Sequence, residues 1–443
     1  MPHAPILVPG VGRKRLAEAA ATARAMTLVA THALAAQPGT IVLISPHSPR
    51  RPGAFGVWRT PRLRGSLENF GSPKDRVDLP VDRDFADRLE EEAGHRGLRT
   101  WEIKGEILDH GAMVPLCYLT AAGWKGPTVI LSLNHPGEGG LDELGQAIAA
   151  TARDLSRRTA IIASGDMSHR LTASAPSGYH PQAHCFDETF IDLLRHNRPG
   201  DIPRIDPDLL AMAAEDVVDS TTIALAASGF RTEGHQVLSY EGPFGVGYGV
   251  ALLFDPPVPG TGKTTIDRYE DLPRVARSAV ETNLRGGPAE PPFQPAGELT
   301  GCHGVFVTLR TASGDLRGCV GSLPPRQVNL VLETWRNAVS AARYDSRFPT
   351  VSVAELPDLR YSVTVLGDLE PVASPAELDP AEYGVVVTAA DGRKGVLLPA
   401  IEGIDSREEQ LEIAQRKAGI EPGEPVTLQR FKAASFPEAP AGN

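Results

Sequence analysis

The chain holds twelve histidines, and several stand where a strand signal gives way to a loop. His47 follows Ile-Val-Leu-Ile-Ser in the triplet Ser-Pro-His, and His169 closes Ser-Gly-Asp-Met-Ser-His after Thr-Ala-Ile-Ile-Ala-Ser. His110 lies in Asp-His-Gly-Ala-Met-Val-Pro-Leu, a glycine-containing turn that opens a helix, and His3 precedes a proline-rich loop. Glu241 ends the strand signal Gln-Val-Leu-Ser-Tyr. Histidine is both the commonest metal ligand and an acid or base that works near neutral pH. Ligands of open α/β sheets bind at the carboxyl ends of strands. A lone histidine in a loop is ordinarily solvated or structural, and His32, His95, His180, His184 and His196 are read that way. Several histidines and a carboxylate at strand ends point instead to a common site, because independently placed surface histidines would not favour one sheet edge.

The elements that must position them alternate. From Leu16 to Ala33, apolar residues recur every three to four positions and predict a helix that stops at Pro38-Gly39. Residues 41–45, 128–133 and 159–164 are short, nearly continuous apolar strands, with a helical stretch beginning at Leu141 between the last two. That alternation predicts an α/β sheet covered on both faces. Residues 236–241 and 246–254 are expected to close it as two more strands. Composition then shifts to Pro, Gly and Thr, which places a boundary between about 255 and 265. Beyond it, 304–310 and 316–323 predict a hairpin, followed by a helix near 326–342 and strands at 361–366 and 384–389. The expectation is two domains, 1–255 and 266–437, the first α/β and the second α+β. Gly262-Lys263-Thr264 resembles the end of a phosphate-binding loop, but Pro257 occupies the position where that motif needs its first glycine.

Composition narrows the function classes. Apolar residues are 41% and charged residues 22% of 443, the balance of a folded globular protein. The net charge of −11, without a basic block, argues against nucleic acid as a partner. No apolar run approaches a membrane span, and the N-terminus shows no signal-peptide pattern. Cys117, Cys185, Cys302 and Cys319 form no Cys-x-x-Cys pair, so reduced thiols in a cytoplasmic protein are expected.

The motifs Pro-His-Ala-Pro-Ile-Leu-Val-Pro, Ser-Pro-His, Asp-His-Gly-x-x-Val-Pro-Leu and Ser-Gly-Asp-Met-Ser-His-Arg-Leu, in that order, resemble those of class III extradiol dioxygenases of the LigB type. The Memo family shares that fold. The resemblance covers about 1–254 and implies that His3, His47 and Glu241 ligate Fe(II), with His169 as acid/base residue and His110 beside substrate or oxygen. Its substrates would be a small aromatic diol and O₂. Memo-like members lack the carboxylate, so Glu241 favours a working iron site. Members of that family carry a full strand before the first histidine, whereas this chain reads Met1-Pro2-His3, so either the true start lies upstream or a loosely held His3 is expected.

In the second region, Leu-Arg-Gly-Cys-Val-Gly-Ser-Leu (316–323) resembles the hallmark of the AMMECR family, as do the segments around 304–309 and 341–349. Strand alternation puts Arg317, Cys319 and Gly321 on one face and Gly318 on the other. Arg317 beside Cys319 can lower the thiol pKa, making a reactive centre, or Cys319 is a small packed residue between glycines; a pocket near Arg317 is expected either way. Asp345 and Arg347 are either neighbours of that pocket or a structural ion pair. The leading expectation is a LigB-type dioxygenase domain fused to an AMMECR-type domain. The alternative is a metal-binding scaffold without turnover that works with a partner such as a radical-SAM protein. A hydrolase or ligase built on Cys319 is a third, weaker option.

Overall fold

The computed structural model describes residues 1–105, 107–255, 263–401 and 403–438. The joint at 256–262, including Gly262 of the rejected phosphate-loop motif, and residues 439–443 of the C-terminal tail lie outside the described residues. The chain divides into two compact units, Met1–Pro257 and Val258–Asn443.

The first unit opens with a 3₁₀ turn at Pro5–Leu7, the single turn α1 (Pro9–Gly12) and a 3₁₀ stretch over Arg13–Ala19, and only then the helix α2 (Ala20–Ala35). The predicted helix is therefore shorter at its start. No residue at its N-cap supplies a side-chain acceptor and its first turn holds no acid, so nothing local caps an earlier start.

The main sheet uses β1 (Thr40–Ser45), β2 (Phe55–Trp58), β5 (Thr100–Ile103), β6 (Thr128–Ser132) and β7 (Thr159–Ala163) in the order β5-β2-β6-β1-β7. A separate hairpin, β3 (Arg62–Leu67) and β4 (Ser72–Pro80), sits between β2 and β5 in the chain. Strands β6, β1 and β7 run parallel, whereas β2 meets β6 antiparallel, so the sheet is mixed.

Every residue of β1 is buried, which explains why its sequence is an apolar run without alternation. Ile41 and Leu43 join the core on one face with Met26 of α2 and Leu116 of α4 (His110–Ala121). Val42 and Ile44 face the other way, toward Phe85 of α3 (Arg83–His95), Leu144 of α5 (Leu141–Asp154) and Ile223 of α8 (Val218–Ala227). A third cluster gathers α6 (Ala183–Arg195), α7 (Pro207–Ala213) and the hairpin β8 (Gln236–Glu241)–β9 (Tyr248–Leu252). That hairpin is a separate two-stranded sheet and does not extend the five-stranded one. The expectation that 236–254 closes the main sheet is thus corrected. A strand of half-buried residues, as β8 is throughout, fits a packed hairpin better than a central strand.

The second unit begins with β10 (Thr264–Ile266), α9 (Leu272–Leu284) and β11 (Phe293–Pro295), β10 and β11 pairing in parallel. Then come β12 (Val305–Arg310) and β13 (Leu316–Ser322), antiparallel as expected, with α10 (Leu330–Arg343) following. A four-stranded sheet β13-β12-β14-β19 includes β14 (Arg360–Leu366) and β19 (Ala433–Pro437). A second one, β15-β18-β16-β17, is built from β15 (Glu370–Val372), β16 (Gly384–Ala389), β17 (Lys394–Leu397) and β18 (Val426–Phe431), beside α11 (Arg407–Lys417). The antiparallel sheets and few helices make this unit α+β. Among the described residues, no helix is long and apolar enough to cross a membrane.

Asp187 ties the third cluster to the loop after β7. It is fully buried, its two oxygens accepting from the Ser168 amide and the Tyr240 hydroxyl at 2.8 Å each. Burial pushes its carboxyl up to about 6, against those two hydrogen bonds. Between about pH 4 and 6 the folded chain keeps a proton that the unfolded chain has released, so stability falls as pH rises through that window. At one pKa unit per roughly 1.4 kcal/mol, the loss above pH 6 is on the order of 2–3 kcal/mol. Asp187→Asn should therefore gain roughly 2 kcal/mol on the wild type between pH 4.5 and 8 in urea unfolding; a gap that does not change with pH refutes the assignment.

Candidate metal centre

The carboxyl ends of β6, β1 and β7 lie side by side, and the loops that leave them carry the site. His47 is two residues past β1. Residues 1–3 dock along the end of β7: the Met1 nitrogen donates to Ala163 O at 2.7 Å, and Gly165 N donates to Met1 O at 3.1 Å. His3 N then donates to Asp166 Oδ1 at 2.8 Å. His3 is only 1% exposed, which corrects the expectation of a loosely held residue. These bonds hold the segment before His3 in place.

The His3 ring is set in one tautomer. Ser164 Oγ donates to Gly111 O at 2.6 Å, so it must accept from His3 Nδ1 at 3.1 Å. That leaves Nε2, 3.0 Å from His47 Nε2, as the nitrogen whose proton a metal ion would displace. The carboxylate that joins them is Asp216, whose Oδ2 lies 3.4 Å from His3 Nε2 and 3.1 Å from His47 Nε2. Its other oxygen accepts from Asp166 N at 2.7 Å, which clips the segment before α8 to the loop after β7.

Glu241, expected as the carboxylate ligand, is placed elsewhere. Its Oε1 accepts the Thr22 amide at 2.8 Å, in the uncapped first turn of α2. A negative charge is favourable at a helix N-terminus that has no local cap. Its strand belongs to the hairpin and not to the sheet edge where the histidines sit.

His110 is the first residue of α4, its ring 4.2 Å from that of His47 between centroids. Nitrogens of His3, His47 and His110 all lie within 4.8 Å of one another, so His110 is a rival third ligand. Asp216 Oδ2, 3.4 and 3.1 Å from the two other donors, adds the negative charge that a cation needs, which favours the carboxylate as third donor. Burial, then repulsion from His47 and His3, lowers the His110 pKa to about 4, which keeps it neutral. For His3 burial also opposes charge, but Asp166 and Asp216 outweigh it and raise the pKa to about 9. Asp216 is held well below the usual carboxylate range: burial works against it, and His3 and His47 prevail.

Asp109 arranges the residues behind the histidines. It caps α4 by accepting from Ala112 N at 3.0 Å, and it accepts from Ser45 Oγ and Ser48 Oγ at 2.6 Å each. Ser45 in turn receives the His47 amide at 3.4 Å. Gly111 is needed here, since a Cβ would stand 2.6 Å from Ser45 Oγ and 3.3 Å from the His47 ring. His169 Nδ1 donates to Ala214 O at 2.9 Å, since a carbonyl only accepts, so Nδ1 carries the hydrogen and Nε2 is left open.

The donor set fits a metal ion. Bonds of about 2.0–2.2 Å at angles near 90–110° put ligand atoms roughly 3.0–3.5 Å apart, the spacing of His3 Nε2, His47 Nε2 and Asp216 Oδ2. Sequence reasoning missed Asp216, Asp109 and the role of Asp166. The one signal for Asp216 was an acidic pair, Glu215-Asp216, just ahead of an apolar helical run.

In the second unit, Arg317 does not serve Cys319. Its Nε pairs with Glu355 Oε1 at 2.7 Å and its Nη1 donates to Pro349 O at 2.9 Å. Of the two expected alternatives, the contacts favour the packed cysteine, because Glu355 neutralises Arg317. Asp345 and Arg347 form an ion pair at 2.7 Å that brackets Cys319: Asp345 accepts the Cys319 amide, and Arg347 donates to the Cys319 carbonyl. A Cβ at Gly318 would meet Ala341 O of α10 at 2.4 Å, and one at Gly321 would meet the Phe306 ring at 2.3 Å. Both glycines allow close packing.

Two families match the chain. Residues 1–251 match the family described as the catalytic LigB subunit of aromatic ring-opening dioxygenase, and residues 273–436 match the AMMECR1 family. A protein of Clostridium acetobutylicum is 31% identical over 99% of this chain and 98% of its own length. A protein of Thermotoga maritima is 50% identical over 29% of this chain and 74% of its own. An uncharacterized protein of Pyrococcus horikoshii of solved structure is 34% identical, covering 38% of this chain and 90% of that one, with a TM-score of 0.36.

Asp216→Asn keeps the acceptor for the Asp166 amide but removes the charge, and should weaken metal binding at least roughly tenfold, as read by competition with a chromophoric chelator. Glu241→Gln should leave that affinity within about twofold and cost about 1 kcal/mol of stability through the weaker helix cap. The reverse pattern would restore Glu241 as the ligand.

Proposed function

The chain belongs to the LigB family, with an AMMECR1 domain on the same polypeptide, and from that premise we propose that its first domain is an Fe(II)-dependent extradiol dioxygenase acting on a catechol-type aromatic with O₂. One observation carries the reading: two imidazole nitrogens and one carboxylate oxygen, of His3, His47 and Asp216, converge within 3.0–3.4 Å of one another. Two neutral histidines and one carboxylate are the donor set of non-haem Fe(II) oxygenases, which keeps coordination positions open for reactants. His3, His47 and Asp216 would hold the ion, which would supply proximity between the diol and O₂ and a lowered pKa for the first hydroxyl.

The chain's own residues supply the rest. Ser164 fixes the His3 tautomer that presents Nε2, and Asp109 with Ser45 and Ser48 sets the loop that presents His47. His169, whose Nδ1 is tied to Ala214 O, offers Nε2 to take the second hydroxyl proton and return it later. His110, neutral and beside His47, can hydrogen-bond a reactant without adding charge. The fully buried Ser164 and His3 keep water from the inner side of the site.

The AMMECR1 domain favours a second reading, a metal-binding protein without turnover that serves a partner such as a radical-SAM protein. Oxygen uptake separates the two. After anaerobic loading with Fe(II), uptake should require both iron and a catechol, and should fall at least about a hundredfold in His47→Ala and Asp216→Ala. Stoichiometric iron binding with no uptake on any diol would favour the partner role.

A further inference from the structure

Residues 13–19, Arg-Lys-Arg-Leu-Ala-Glu-Ala, are good helix formers throughout, and the apolar spacing that begins at Leu16 predicts that 16–19 belong to α2. They lie instead in a 3₁₀ run of seven residues. Such runs ordinarily stop at about three or four, and longer ones mark hinges or strained sequences. Arg13 opens the run at φ 48° and ψ −124°, a positive-φ conformation that crowds any residue with a Cβ. Ala19 closes it at φ −117° and ψ 36°, outside the helical region. Lys14, Arg15, Ala17 and Glu18 are exposed, so the run has room to change shape.

The threonines of α2 show what its start lacks. Thr27 Oγ1 donates to Ala23 O at 3.0 Å and Thr31 Oγ1 to Thr27 O at 2.8 Å, each to the carbonyl four residues back. Thr22 is fully buried, and its hydroxyl has no partner among the described residues. The carbonyl four residues back from Thr22 is that of Glu18, and α-helical geometry through 18 would bring it to both the hydroxyl and the amide of Thr22. Glu241 of β8 takes that amide instead, at 2.8 Å. The loop after β8 grips the run a second time, the Arg15 guanidinium standing 4.7 Å over the Phe244 ring.

We propose that residues 13–19 are a two-state strap: Glu241 holds it in the 3₁₀ form, and release of Glu241 lets it wind into α2 and frees the hairpin tip beside His110. Each residue that winds shortens the chain by about 0.5 Å, the difference between rises of about 2.0 and 1.5 Å, so the full run draws in roughly 3.5 Å. The chain ahead of the run is fixed by the buried His3, Leu7 and Val8, so the movement falls on Arg13. Its Nη2 donates to Gly71 O at 3.3 Å, at the tip of the β3–β4 hairpin, where the Phe70 ring stands 5.8 Å from that of His110. A shift of that size breaks the Arg13–Gly71 bond. Relief of the Arg13 backbone and new partners for Thr22 offset the lost Glu241 bond, which keeps the two forms close in energy. The strap stands on backbone geometry and is independent of the dioxygenase reading.

Hydrogen exchange on the full chain, resolved to single amides by fragmentation, tests it by comparing the wild type with Glu241→Ala. The Thr22 amide should stay within about fivefold of its wild-type rate, because Glu18 O replaces the carboxylate. The Gly71 amide, bonded to Glu68 O, should exchange at least about threefold faster. A larger acceleration at Thr22 reduces Glu241 to a simple cap and overturns the strap; an unchanged Gly71 amide overturns its link to the hairpin. Urea unfolding reads the two forms separately. Thr22→Val should raise the midpoint in the wild type, by removing an unpaired hydroxyl, and lower it in Glu241→Ala, where that hydroxyl has a partner. Shifts of the same sign in both backgrounds overturn the proposal. Glu241→Gln, whose amide oxygen is a weaker acceptor, replaces Glu241→Ala if the latter does not fold.

Discussion

A buried imidazole needs both nitrogens satisfied, and the first domain is organised around that need at His3. With 1% of the residue exposed, Nδ1 is served by Ser164, and Nε2 faces His47 and Asp216. Burying polar groups without partners costs several kcal/mol, so the three segments that provide them cannot drift independently. The end of β7 supplies Ser164 and Asp166, the loop after β1 supplies His47, and the turn before α8 supplies Asp216. The Asp166 amide closes the arrangement by bonding Asp216.

The same economy of partners explains the acids around the site. Asp109 performs three tasks with two oxygens, capping α4 and receiving two serine hydroxyls. Glu241 caps α2 from another element because the alanine-rich start of that helix offers no cap of its own. A carboxylate in this domain is thus placed by which backbone amides lack a partner. Proximity to a strand end says less.

In the second domain the hallmark segment of β13 is governed by packing. Gly318 lets the strand approach the carbonyls of α10, and Gly321 lets Phe306 lie flat against it. The charged residues beside it are paired, Arg317 with Glu355 and Arg347 with Asp345. The Asp345 and Arg347 side chains also hold both backbone groups of Cys319. Rigidity around the thiol follows directly; an activating charge does not.

The sequence by itself determined what local pattern can carry. The apolar runs of β1, β6 and β7, the helix at Leu141, the β12–β13 hairpin and the histidines at strand ends were all legible, because burial on two faces and turn chemistry are written in neighbouring residues. Ordered motifs likewise identified both families. Tertiary structure alone decided which carboxylate joins the histidines. Glu241 and Asp216 each adjoin the end or start of an element, and nothing local distinguishes them. The choice depends on β8 pairing with β9 instead of the main sheet, and on the turn before α8 being clipped to the loop after β7. His3 shows the same limit: a residue two positions from the start of a chain looks unsupported until distant backbone groups at 163–166 are brought beside it. Contacts across more than a hundred residues leave no periodic trace, and for that reason the carboxylate beside the histidines and the firm seat of His3 are visible only in the fold.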